Sequence, residues 1–103
     1  MHYLLIYDVA DGYLERRGTY RADHLQLLEE AEARGELMLA DALADPVDGA
    51  VFLFRGAGPE AAEAFAKADP YVVNGLITRW RVRKWPTVVG AGAATPLSSA
   101  SFR

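Results

Sequence analysis

The sequence predicts an α+β sandwich: a four-stranded antiparallel sheet with two helices on one face. Three observations predict it. Strand-type and helix-type apolar patterns follow one another in the order β-α-β-β-α-β. The first and third strands are apolar on both alternating faces, as strands buried in the middle of a sheet are. The fourth alternates apolar and basic residues, as a strand with one solvated side does.

Residues 3–9 put Tyr3, Leu5, Tyr7 and Val9 on one face and Leu4 and Ile6 on the other. Asp11-Gly12 is a turn signal. Gly18 interrupts what precedes it. Thr19 is the expected N-cap of a first helix reaching about Arg34, with Gly35 where helices most often end. A second strand spans residues 37–43, and Asp45-Pro46-Val47-Asp48-Gly49 turns the chain into a third at residues 50–54. Gly58-Pro59-Glu60 opens a second helix, rich in alanine and carrying Phe65, which must stop at Asp69-Pro70. In the fourth strand, residues 76–85, Leu76, Thr78, Trp80 and Val82 face one way and Ile77, Arg79, Arg81 and Arg83 the other. Beyond Pro86 the chain is rich in Gly, Ala, Ser and Thr without a period. Residues 1–90 are therefore expected to form the domain and residues 91–103 a flexible tail.

This order is that of a ferredoxin-like sheet, 4-1-3-2, whose central strands are the first and third and whose fourth lies at an edge. Two helices cover only one face, yet the central strands are apolar on both. A homodimer packed through the open sheet face is the economical solution.

At 103 residues, 51% of them apolar, the chain is one domain with enough material for a core. A formal charge of −3 argues against a dedicated nucleic-acid binder. The basic stripe of Arg79, Arg81, Arg83 and Lys84 lacks interleaved aromatics and reads as a solvated edge protected by charge. The absence of cysteine removes disulfides, thiolate metal ligands and thiol nucleophiles, and fits a reducing compartment. His2 has no spaced partner, so no metal site is expected. There is no glycine-rich phosphate loop, and Ser98, Ser99 and Ser101 lie in the loose tail. No stretch nears the ~20 apolar residues of a membrane span, and no secretory leader pattern is present, so the expectation is a cytoplasmic protein.

Arg17, Arg21, His24, Leu28 and Ala31 are spaced by four, three, four and three residues and share one helical stripe. His24 thus falls on the side facing the sheet. There an imidazole beside guanidinium groups is available as a neutral base or hydrogen-bond partner. The plainer alternative is a boundary residue that fills space and bonds to a backbone carbonyl. Asp69 ends the second helix, where Asp-Pro is a common exit. An anion there opposes the helix dipole, so its presence calls for a nearby cation or donor, for which His24 or an arginine would serve.

The runs Leu14-Glu15-Arg16-Arg17, Arg21-Ala22-Asp23-His24-Leu25 and Gly35-Glu36-Leu37 resemble the first half of YCII-related proteins. Residues 61–72, with Asp69-Pro70-Tyr71, followed by Gly75, resemble the second half. The likeness extends from residue 2 to about residue 88, and the Arg-x-x-His and Asp-Pro-Tyr pair at this separation is its most specific part. The resemblance implies a ferredoxin-like fold of the dimeric α/β-barrel type and a homodimer. It also implies a site built from the helix histidine and the Asp-Pro aspartate, which fall on His24 and Asp69, with Arg21 and Arg17 as neighbours. One related branch resembles a dehydrochlorinase acting on a chlorinated hydroxyhydroquinone, and related dimeric barrels include muconolactone isomerase. Where relatives often have Gly-Pro after the second strand, this chain has Asp41-Ala42 at the expected pocket rim.

The expectation is a small cofactor-free enzyme of the lyase or isomerase kind. His24 moves a proton, Asp69 orients the imidazole, and Arg17 or Arg21 holds an anionic, ring-containing metabolite. The alternatives are a module that binds such a molecule without transforming it, or a purely structural dimerisation domain.

Overall fold

The computed structural model describes residues 1–97. Its elements are β1 (His2–Val9), α1 (Tyr13–Ala33), β2 (Leu37–Ala42), β3 (Gly49–Arg55), α2 (Glu60–Ala68), α3 (Pro70–Val73) and β4 (Ile77–Trp85). The four strands form one antiparallel sheet in the order β2-β3-β1-β4. That is the ferredoxin-like arrangement, with helices packed on one face.

The core lies between the helices and that face. Tyr3, Leu5 and Tyr7 of β1 pair with Phe54, Phe52 and Ala50 of β3, and all six are buried. Val51 and Leu53, opposite Ile6 and Leu4, point to the other side, where these four are only half-buried and Leu39 is 71% exposed. The two-sided apolar pattern of β1 and β3 thus corresponds to one face in the core and one without cover from the helices.

Two local expectations are corrected. The first helix begins at Tyr13, not Thr19, and runs through Gly18; Gly12, in the left-handed region at φ 81°, starts it. An interior glycine costs a helix about 1 kcal/mol relative to alanine. Burying a large apolar side chain stabilises by about 1.5–3 kcal/mol, and Tyr13 is buried with its ring edge-on to Tyr71. The Arg16 guanidinium also ties the first turn to the carbonyl of Asn74. Tertiary anchoring therefore outweighs the local break.

The second correction concerns β4. A register shift at Asp8/Val9 pairs Ile77 with Val9 but Arg79 with Asp8. The extra residue, Thr78, turns Ile77 away from the arginine face, and it is buried. Beyond the bulge the expected alternation holds: Trp80 and Val82 stand opposite Tyr7 and Leu5, while Arg79, Arg81 and Arg83 stand opposite Asp8, Ile6 and Leu4.

After β4 the chain folds back, with Thr95 and Leu97 amides donating to the carbonyls of Thr87 and Val88. The Thr87 hydroxyl meets Nδ1 of buried His2. Of the expected tail, residues 98–103 lie outside the described residues.

Candidate functional site

Asp69 sits between two helices. The ring of Pro70 bars its predecessor from helical geometry, and Asp69 is accordingly extended, at φ −65° and ψ 122°. It closes α2 and caps α3, its Oδ1 accepting a hydrogen bond from the Tyr71 amide at 3.0 Å. The short helix α3 goes beyond the two helices the sequence predicts, and it answers part of the electrostatic oddity: the carboxylate serves as an N-cap as well as standing at a C-terminus.

The remaining acceptor capacity of Asp69 is used by groups from two other elements. Oδ1 also meets His24 Nδ1 at 2.9 Å, and Oδ2 accepts from the Tyr7 hydroxyl at 2.7 Å. Asp69 is 0% exposed. A carboxylate shut away from water is tolerable only when hydrogen-bonded on this scale. Strand β1, helix α1 and the α2–α3 junction therefore converge on one side chain.

His24 lies where the stripe predicts, 8% exposed and on the same side as Ala31. Its ring stacks on Tyr71, with centroids 3.9 Å apart and planes inclined by 10°. The Phe52 and Phe65 rings flank it at 6.3 Å. An ionised carboxylate only accepts, so in this contact Nδ1 is the donor, and in the corresponding neutral tautomer Nε2 is the acceptor. Nε2 has no hydrogen-bond partner among the described residues.

His24 also lines a cavity of about 210 Å³, together with Arg17, Arg21, Tyr7, Tyr13 and Tyr71. Leu28 and Ala40 add apolar wall, and Asp41 and Ala42 contribute to the rim from β2. Asp41 Oδ1 accepts from the Ala42 amide. Arg17 lies over the Tyr13 ring at 5.7 Å. Neither Arg17 nor Arg21 has a carboxylate partner among the described residues. The cavity thus joins a histidine with an open ring nitrogen to two uncompensated guanidinium groups. That combination suits a small anion and the movement of a proton on it.

The structure brings all four anticipated residues to one place. It adds three tyrosines. From sequence alone, Tyr7 is an apolar strand position, Tyr13 precedes the helix expected from Thr19, and Tyr71 is part of the Asp-Pro-Tyr motif. Burial, and next the Asp69 charge, push the Tyr7 phenol far above the usual tyrosine range. Tyr71 is raised chiefly by burial and further by Tyr13, while Arg21 and Arg17 pull it back. The signal available in the sequence is parity, which puts Tyr7 on one strand face with Leu5; packing then decides that this face, and not that of Leu4 and Ile6, meets the helices. Among the described residues no three His, Asp or Glu side chains are grouped to hold a metal ion. No helix among them is long and apolar enough to cross a membrane.

A family model, the YCII-related domain, matches residues 1–86. Among solved structures, the chain is similar to 5-chloro-2-hydroxyhydroquinone dehydrochlorinase from Burkholderia phenoliruptrix AC1100, in complex with 2,5-dihydroxybenzoquinone. The TM-score is 0.71 at 20% identity, over 84% of this chain and 95% of that one. It is also similar to protein Atu4242 from Agrobacterium tumefaciens, with a TM-score of 0.53 at 15% identity, over 91% of this chain and 98% of that one. At these identities the likeness is one of fold. No curated protein matches the chain.

Proposed function

The chain belongs to the YCII-related family, and on that premise we propose that it is a small cofactor-free enzyme of the lyase or isomerase kind, acting on a small anionic, ring-containing molecule. One observation carries the reading: the buried Tyr7–Asp69–His24 relay ends at a cavity bordered by two unpaired guanidinium groups. His24 Nε2 takes a proton from a carbon of the bound molecule. Asp69 holds the ring in the required tautomer and stabilises the charge it acquires, and Arg17 and Arg21 hold the anion. The proton then returns to a different carbon, which is isomerisation, or its loss accompanies departure of a leaving anion, which is elimination. Arginine is suited to the holding role because its planar donors match a carboxylate or enolate edge.

The quinone in the dehydrochlorinase complex makes a reasonable first probe, alongside aromatic carboxylates. Thermal shift identifies binders and mass spectrometry identifies products. Turnover by the wild-type protein that disappears in His24→Gln, with the melting temperature kept, is the expected result. Binding without product across the panel would instead make this a carrier or sensor. Melting temperatures altered by His24→Gln with no ligand effect at all would leave only a structural role.

The apolar outer faces of β1 and β3 favour a homodimer assembled sheet to sheet. The functional unit in this reading is residues 1–90, with residues 91–103 as an appendage. A cysteine-free chain fits a reducing, cytoplasmic setting.

A further inference from the structure

We propose that the Tyr71 hydroxyl is a ligand-binding group, donating a hydrogen bond to an oxygen of the anion that Arg17 and Arg21 attract; this rests on the reading of the cavity given above. Tyr71 is 2% exposed, and its hydroxyl is buried without a hydrogen-bond partner. Among the described residues no other side-chain nitrogen or oxygen atom that is itself closed to solvent stands unpartnered. An isolated buried hydroxyl is unfavourable, and such groups are few in native proteins.

The ring cannot easily turn to relieve this. One face stacks on His24, the Tyr13 ring stands perpendicular to it with centroids 5.8 Å apart, and the Tyr71 amide is tied to Asp69. If packing were the whole task, phenylalanine would make the same stack without the stranded oxygen. Tyr7 and Tyr71 both line the cavity, but the Tyr7 hydroxyl is committed to Asp69. Of these two, it is Tyr71 that has its proton to give.

A phenol with the ordinary value of 10.0, raised further by burial, is protonated at neutral pH, so the Tyr71 hydroxyl acts as a donor and not as an anion. Arg21 and Arg17 are close enough to oppose that shift, so the hydroxyl shares its electrostatic surroundings with the two guanidinium groups. A ligand oxygen carrying negative charge would accept from all three. A neutral ring lacking that oxygen would leave the phenol stranded. The ligand class that follows is a planar carboxylate or oxyanion, and the hydroxyl contributes specificity for it.

The test is Tyr71→Phe in the full chain, compared with the wild type, with benzoate and salicylate as anionic probes and benzyl alcohol as the neutral control. Without probe, Tyr71→Phe should melt no lower than the wild type. With the carboxylates, its dissociation constants should rise about tenfold or more, the scale of one lost hydrogen bond to a charged group. Benzyl alcohol should not distinguish the two proteins. A fall of about 4 °C or more in the probe-free variant would mean that the hydroxyl has a protein partner, and would overturn the inference. Equal carboxylate affinities would overturn it too, as would a wild-type protein that binds neither carboxylate. Carboxylate affinity lost in Arg21→Ala and kept in Tyr71→Phe would sink this inference while leaving the anion-binding cavity standing. Turnover lost in His24→Gln tests that parent reading separately.

Discussion

Removing the Asp69 carboxylate should be among the most damaging single changes at the site, and its effect can be separated from that of removing the charge. Asp69→Ala strands three donors: His24 Nδ1, the Tyr7 hydroxyl and the Tyr71 amide. Each buried donor left unmade costs about 1–3 kcal/mol. The vacated space is polar and able to admit water, so the low end applies to each, giving about 3 kcal/mol in all. Against a total stability of about 5–15 kcal/mol that is severe. At about 4–8 °C per kcal/mol for a domain of this size, the melting temperature should fall by about 12 °C or more.

Asp69→Asn provides the control. With its Oδ1 in place it still accepts from His24 and Tyr71, and the new amide can donate to the Tyr7 oxygen, turning that hydroxyl round. Both variants discard the same buried charge and whatever its desolvation cost, so the difference between them isolates the stranded donors. Asn should therefore cost about 1 kcal/mol or less, the scale of a single re-formed hydrogen bond. Thermal and urea unfolding of the three proteins measures the series. Alanine and asparagine variants that melt within about 4 °C of each other, less than one hydrogen bond apart, would mean that the stranded donors do not carry this cost.

Two glycines should respond to alanine in opposite directions. At Gly18, in mid-helix, an added Cβ meets nothing within 4 Å, so Gly18→Ala should stabilise by up to about 1 kcal/mol. At Gly49 the same atom would lie 2.6 Å from the Tyr7 carbonyl oxygen, so Gly49→Ala should force β1 and β3 apart and lower the urea midpoint. Alkaline pH should destabilise the fold through Tyr7, whose ordinary value of 10.0 is raised in the folded state. The unfolded chain loses this proton first, so the tyrosine's contribution is complete below pH 10 and is lost as the pH rises beyond it. The slope is about 1.4 kcal/mol per pH unit for one proton. Tyr7→Phe should have a shallower alkaline slope in denaturant titrations. On the open sheet face, Leu53→Glu should convert a dimer into a monomer in sedimentation, and a wild type that is already monomeric at micromolar concentration would contradict sheet-to-sheet assembly.

Much of the fold was legible because its governing patterns are local. Period-two apolarity on both faces of β1 and β3 marks central strands, and three-or-four spacing puts His24 on the sheet side of α1. Both follow from backbone geometry within a single element. The early start of α1 was not legible, since Gly18 is a break by propensity and only the contacts of Tyr13 and Arg16 with the α3 region outweigh it. The bulge that buries Ile77 likewise depends on how β4 aligns with Val9 of its neighbour.

The site divides in the same way. The sequence places an imidazole and two arginines on one helical stripe, and an aspartate where it needs a partner. It tied the two together only through family resemblance, because 45 residues separate His24 from Asp69 along the chain. Tertiary packing decided that they meet, that Tyr7 completes the carboxylate's hydrogen bonds, and that the Tyr71 ring lies flat on the imidazole with its hydroxyl unmatched. The physical reason is one of range: dihedral periodicity specifies which face a side chain occupies, whereas the distance between faces of different elements is set only when the core between them closes.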